Sequence, residues 1–159
     1  MEKLLKIMEE DATLTPKEIA AMLDKEEGDI KKLISELEAE GVILGKRTVI
    51  DWDKTNREYV TALIEVKVMP QRDDGFDKIA ERISKYSEVK GLFLMSGGFD
   101  FTVMLEGKTM KEVAYFVARK LATIESVTAT ATHFVLKTYK NEGVIYAKPE
   151  KDVRDTLIL

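Results

Sequence analysis

Apolar residues recur at helical spacing through the first forty positions and at mixed strand and helix spacing through most of the rest. Leu4, Ile7 and Met8 stand at i, i+3 and i+4 and predict a short helix over residues 2 to 10. Thr15 is a helix N-cap, Pro16 suits the first helical position, and Glu18 lies three residues after the cap, where it closes a capping box. A second helix is therefore expected from about residue 16 to 23. Asp24, Lys25 and Glu26 break the pattern, and Ile30, Leu33, Ile34 and Leu37 carry a third helix that Gly41 stops. Three short helices with tight turns are what a helix-turn-helix requires. Ile19, Leu23, Ile30 and Leu33 supply its apolar contacts, and Ala20 is the small residue at the helix crossing. Residues 41 to 47, Gly-Val-Ile-Leu-Gly-Lys-Arg, read as a turn into a β segment, the start of a wing or linker strand. Val49, Ile50 and Trp52 extend that expectation over residues 48 to 57, a β linker anchored by Trp52.

Beyond the linker the period changes in a definite order. Val60, Ala62, Ile64, Val66 and Val68 alternate along a strand that Pro70 ends, and Phe76, Ile79, Ala80 and Ile83 mark a helix from about residue 74 to 86. Two apolar runs, 89 to 95 and 99 to 105, flank the turn Ser96-Gly97-Gly98-Phe99-Asp100-Phe101. Its adjacent glycines permit positive φ and close approach of a ligand or a second chain. Asp100 places a carboxylate among apolar neighbours, and its simplest role is to bond its own backbone in a tight turn. Thr109 caps a helix with Met110, Val113, Ala114, Val117 and Leu121, and residues 126 to 139 form a long strand. The order βαββαβ predicts a ferredoxin-like domain whose helices cover one face of a four-stranded antiparallel sheet. Phe93, Met95, Phe134 and Leu136 divide between the two faces, and a half-apolar open face calls for a partner subunit. In the tail, residues 141 to 159, Gly143 to Tyr146 read as an added edge strand, and Leu157, Ile158 and Leu159 either pack on a neighbour or fray.

Composition narrows the possibilities. At 159 residues and 45% hydrophobic, the chain holds one typical domain or two small ones, and the absence of cysteine excludes disulfides, thiolate metal sites and cysteine nucleophiles. No apolar run reaches the length of a membrane span, and the first residues lead into a helix and not a signal peptide, so a cytoplasmic location is expected. Residues 1 to 53 carry eight Lys and Arg against fourteen Asp and Glu, a net charge of −6. Duplex DNA attracts cations, so binding must come from cations clustered on one face. The candidates are Lys25 at the turn, Lys31 and Lys32 with Gly28 and Ser35 on the third helix, and Lys46 and Arg47 after it. Glu26, Glu27 and Asp29 suit the positive end of that helix's dipole better than they suit DNA. His133, the only histidine, lies mid-strand and is expected to be a buried or interface side chain. The row Thr128, Thr130, Thr132 reads as β propensity, or as hydroxyls lining a polar ligand cleft. No phosphate loop, nucleophile elbow or paired catalytic acids occur, so neither enzyme activity nor a cofactor or metal is expected.

The helix-turn-helix, the run Leu37-Glu38-Ala39-Glu40-Gly41-Val42-Ile43, the β linker, the βαββαβ order, the Ser96 to Phe101 turn and the final Glu125-Ser126-Val127-Thr128-Ala129-Thr130 together resemble the Lrp/AsnC, or feast/famine, family of transcriptional regulators. The resemblance runs from residue 1 to about 140. It implies an α+β fold with a winged helix-turn-helix over residues 1–47, a linker over 48–57 and an effector-binding, oligomerising domain of the RAM or AsnC type over 58–140. It further implies double-stranded DNA as a partner, dimers formed through the open sheet face and assembled further, commonly into octamers, and an amino acid or related effector bound between dimers. The implied effector residues are Ser96, Gly97, Gly98 and Asp100, with Thr130 and Thr132 as candidates in the same cleft. The chain departs from the family pattern at Asp24, Lys25, Glu26, Leu33 and Gly98, where the family usually has a glycine, an apolar residue, a serine cap, an arginine and an acid. Its acidic amino terminus also admits a different reading, a metabolite-sensing assembly module whose degenerate helix-turn-helix does not bind DNA. Some siroheme decarboxylases share the two-domain layout, but a basic, histidine-bearing pocket motif is lacking here.

Overall fold

The Thr15 hydroxyl accepts the Glu18 backbone N–H at 3.3 Å, and the Glu18 carboxylate accepts the Thr15 N–H at 2.7 Å, so the capping box forms as the sequence predicts. The Thr15 N–H and hydroxyl hold the Glu18 carboxyl below its ordinary pKa. The computed structural model describes residues 1–69 and 75–146, which fall into two units, divided between Ile50 and Asp51. The first contains α1 (Glu2–Glu10), α2 (Pro16–Leu23) and α3 (Glu27–Ala39). Leu4, Ile19, Ala20, Ile30 and Leu37 are its buried core, with Leu23, Leu33 and Ile34 packed against them. Asp24 closes α2 in the left-handed region at φ 53°, the conformation that makes glycine the usual residue at such a cap. Gly41, at φ 71°, ends α3 while Val42 and Ile43 donate N–H groups back to the Leu37 carbonyl.

The second unit contains β1 (Val60–Val68), α4 (Phe76–Ser84), β2 (Val89–Leu94), β3 (Phe101–Gly107), α5 (Met110–Phe116) and β4 (Val127–Phe134), with α5 running on into a π-helical turn, Val117–Leu121. The strands form one antiparallel sheet in the order β2-β3-β1-β4, the ferredoxin-like arrangement. Register explains the core. Ala62, Ile64 and Val66 of β1 lie opposite Leu105, Val103 and Phe101 of β3, all buried beneath Ile79 and Ile83 of α4 and Val113 and Phe116 of α5. Tyr86 meets Phe116 edge to face at 5.3 Å between ring centres. Alternate residues point the other way: Leu63 lies opposite Met104 and His133, and Glu65 opposite Thr102 and Ala131. Phe93 joins this open face, whereas Phe134 lies opposite Ala62 on the helix-covered side.

Three strand expectations need correction. Residues 42–51 form no strand, and the linker's regular structure is a single 3-10 turn, Trp52–Lys54, because the apolar residues there find no ladder among the described residues. The last sheet strand stops at Phe134 and not at residue 139. The segment expected to add an edge strand instead pairs locally: β5 (Lys140–Asn141) and β6 (Val144–Ile145) make a separate hairpin, turned by Glu142 at φ 46° and Gly143 at φ 81°. Pro70 and Asp74, and the tail beyond Tyr146 with Leu157, Ile158 and Leu159, lie outside the described residues.

Replacing Thr15 with alanine removes the hydroxyl half of the cap and leaves the Thr15 N–H to the Glu18 carboxylate; it is expected to cost about 1 kcal/mol, read as a lower urea midpoint for the amino-terminal unit. Glu88 supplies a pH test in the second unit. The Lys120 ammonium, 2.6 Å from its carboxylate, and its own backbone N–H lower the Glu88 pKa, so its contribution is complete above the ordinary glutamate pKa and is lost as pH falls through the depressed value. Lys120→Met is expected to flatten that acid limb, measured by thermal unfolding between pH 6 and pH 3.

Candidate functional site

Asp100 anchors the glycine corner. Its backbone N–H donates to the Val66 carbonyl at 3.0 Å, its carbonyl accepts the Met95 N–H at 2.8 Å, and its carboxylate Oδ2 accepts the Val68 N–H at 2.8 Å. The ladder between β1 and β3 ends at the pair Val66 and Phe101, so the carboxylate takes the place of the carbonyl that β3 no longer offers. The Asp100 carboxylate thus bonds the backbone of another strand, 32 residues away in sequence, and not the backbone of its own turn. Of the two glycines only Gly97 adopts positive φ, 138°; Gly98 does not, and a side chain at either would meet open space. Ser96, Gly97 and Gly98 are exposed, and Asp100 is half-buried.

The two threonines approach the same end of the sheet from the other side of β1. Thr130 lies opposite Val66, whose other neighbour is Phe101, and Thr132 lies opposite Ile64, one step further in. Thr130 is half-buried and Thr132 exposed. With strands about 4.8 Å apart, Asp100 and Thr130 flank β1 across roughly 10 Å.

In the first unit, α3 presents Gly28, Lys31, Lys32 and Ser35 on its exposed side, opposite Ile30, Leu33, Ile34 and Leu37, and Lys25 is exposed in the turn before it. Lys31 lies 2.6 Å from Glu27 and Lys32 lies 3.9 Å from Glu36, each an i, i+4 pair. The Lys31 bond and charge hold the Glu27 carboxyl below its ordinary pKa. Glu26 occupies the N-cap without a capping bond from its side chain. Lys46 and Arg47 are exposed on the extended chain after α3. His133, expected to be a buried or interface residue, is exposed on the open sheet face with Nε2 3.2 Å from Glu65 Oε1. Sequence reasoning missed a cleft between β3 and α5, whose lining includes Leu105, Gly107, Phe116 and Arg119. These residues come from separate elements and share no motif.

Comparison with known proteins gives this arrangement a family. Residues 61–145, more than half of the chain, match the Lrp/AsnC ligand binding domain, and residues 2–43 match a winged helix-turn-helix DNA-binding domain. The chain belongs to the Lrp/AsnC family of transcriptional regulators. It is 42% identical to YugG, an uncharacterized HTH-type transcriptional regulator of Bacillus subtilis (strain 168), over 96% of this chain and 92% of that one. It is also 22% identical to the proline dehydrogenase transcriptional activator of Rhizobium radiobacter, over 89% of this chain and 90% of that one. Among solved structures, transcriptional regulator NMB0573 of Neisseria meningitidis, crystallised with L-Met, superposes with a TM-score of 0.70 at 22% identity, covering 87% of this chain and 89% of that one. This Lrp/AsnC regulator therefore pairs a DNA-binding helix-turn-helix with a ligand-binding ferredoxin-like domain. No described helix is long and apolar enough to cross a membrane.

Asp100→Ala leaves the Val68 N–H without its charged acceptor and is expected to cost about 1–3 kcal/mol of carboxyl-terminal domain stability. Asp100→Asn keeps an acceptor oxygen and is expected to recover much of that loss. Urea unfolding of both variants measures the difference.

Proposed function

We propose that this regulator senses an amino acid, or a closely related metabolite, at the corner formed by Ser96, Gly97, Gly98 and Asp100, with Thr130 and Thr132 on the far side of β1. The observation that carries the proposal is the corner itself. Gly97 keeps it free of side chains, and the double attachment of Asp100 to β1 fixes its position before any ligand arrives. Exposed amides and hydroxyls suit the carboxylate end of an amino acid, and the second carboxylate oxygen of Asp100 suits the ammonium end. The L-Met complex of the Neisseria regulator supports an amino acid as the chemical class.

The protein works in the cytoplasm as a homodimer, formed through the open sheet face and assembled further, up to an octamer. Effector bound at the seam between dimers stabilises one assembly over another. The spacing of helix-turn-helix pairs along DNA then changes with it, so effector and DNA affinities are reciprocally coupled. Lys25, Gly28, Lys31, Lys32, Ser35, Lys46 and Arg47 contact duplex DNA. Because Glu27 and Glu36 already hold Lys31 and Lys32, each lysine exchanges a weak surface pair, worth a few tenths of a kcal/mol, for a phosphate.

Reversing both charges, Lys31→Glu with Lys32→Glu, is expected to weaken binding on every duplex and to make the slope of log affinity against log salt shallower by about two. Fluorescence anisotropy across a salt series checks this; unchanged slopes would remove both lysines from the phosphate contacts. Selection of genomic fragments with and without a panel of amino acids tests the whole reading. Enrichment that depends on one amino acid supports it, and failure to enrich any fragment would favour an assembly module that does not bind DNA.

A further inference from the structure

At the opposite end of β3, about 20 Å from the glycine corner at strand rise, lies the cleft that the sequence did not reveal. It encloses about 200 Å³ over a floor of Leu105, Val113 and Phe116, with Tyr115, Arg119 and Lys120 along its rim. A cleft of this order suits a small molecule of amino-acid size. The cleft is a built feature. A Cβ on Gly107 would stand 3.0 Å from Val113 Cγ2, so a side chain there would have to displace Val113 by a few tenths of an ångström, and glycine favours the close approach of α5 to β3. The helix also abandons α geometry here: Ala122 N–H reaches the Val117 carbonyl at 2.8 Å in a π turn, an irregularity that recurs at functional sites.

The two rim cations are not equivalent. Lys120 is committed, 2.6 Å from Glu88 and 5.0 Å from the ring centres of both Tyr86 and Phe116. Arg119 has no ion-pair partner among the described residues, and its guanidinium carbon lies 5.0 Å from the centre of the exposed Tyr115 ring. An apolar floor beside an unpaired guanidinium is complementary to a molecule with an apolar body and one carboxylate.

We propose that this cleft is a second small-molecule site, for an apolar monocarboxylate of amino-acid size, held by Arg119 over Leu105, Val113 and Phe116. The class comprises apolar amino acids and the 2-oxo acids of the same skeleton. The site stands independently of the glycine corner, in which Arg119 has no part. Isothermal titration of the full-length protein with L-leucine and with 4-methyl-2-oxopentanoate distinguishes the two sources, with 4-methylpentanamide as the uncharged control. One of the two carboxylates is expected to bind at one per chain and the amide about tenfold or more weaker. Arg119→Gln is expected to weaken the carboxylate about tenfold or more, and Arg119→Lys to restore part of the loss. Arg119 is exposed, and circular dichroism confirms that the variants fold. Absence of binding by both carboxylates at millimolar concentration would overturn the proposal. So would binding that Arg119→Gln leaves unchanged, which would place the ligand elsewhere on the protein.

Discussion

The carboxyl-terminal domain depends on satisfying the backbone of its central strand. Strand β1 is paired on both sides and its core-facing residues are fully buried, so its amide and carbonyl groups have no access to water over most of its length. Because β3 begins only at Phe101, the ladder would end one step early. Asp100 supplies that step twice, once with its backbone N–H and once with its carboxylate. The glycine corner inherits its position from these bonds, and a ligand reaching it meets groups already held in place.

The same alternation that buries Ala62, Ile64 and Val66 under the helices turns Leu63, Met104, Ala131 and Phe93 to the opposite face. A sheet with an apolar surface that no described residues cover gains by stacking on a second one, at about 25 cal/mol for each Å² removed from water. Glu65 and His133 lie on that surface with Nε2 3.2 Å from Oε1. A partner that covers it must leave the pair wet or satisfy both groups. The proposed assembly and sensing would thus both draw on one sheet, the first on its open face and the second at its end.

Much of this was legible in the residues because local chemistry decided it. The cap formed by Thr15 and Glu18, the stop at Gly41 and the period-two run of β1 each act within a few positions, and the structure follows them. What was hidden is non-local. Nothing near Asp100 announces that its acceptor serves Val68, since the partner lies on a strand formed 32 residues earlier. Either of two adjacent glycines could take positive φ, and only the hairpin's register selects Gly97. Val42 to Ile50 has strand-like composition, yet a strand needs a ladder and the described residues provide none there. The terminal hairpin escaped notice because Glu142 precedes Gly143, where Asn or Asp would have marked the turn. The cleft under Arg119 gathers residues that no spacing rule connects.

The central claim is that this domain joins copies of itself and that an amino acid shifts the balance between assemblies. Light scattering coupled to size exclusion, run at micromolar protein with each amino acid in turn, tests it most directly. The account predicts a mass of at least two chains that one amino acid changes in a concentration-dependent way. A single-chain mass, unmoved by any of them, would contradict it.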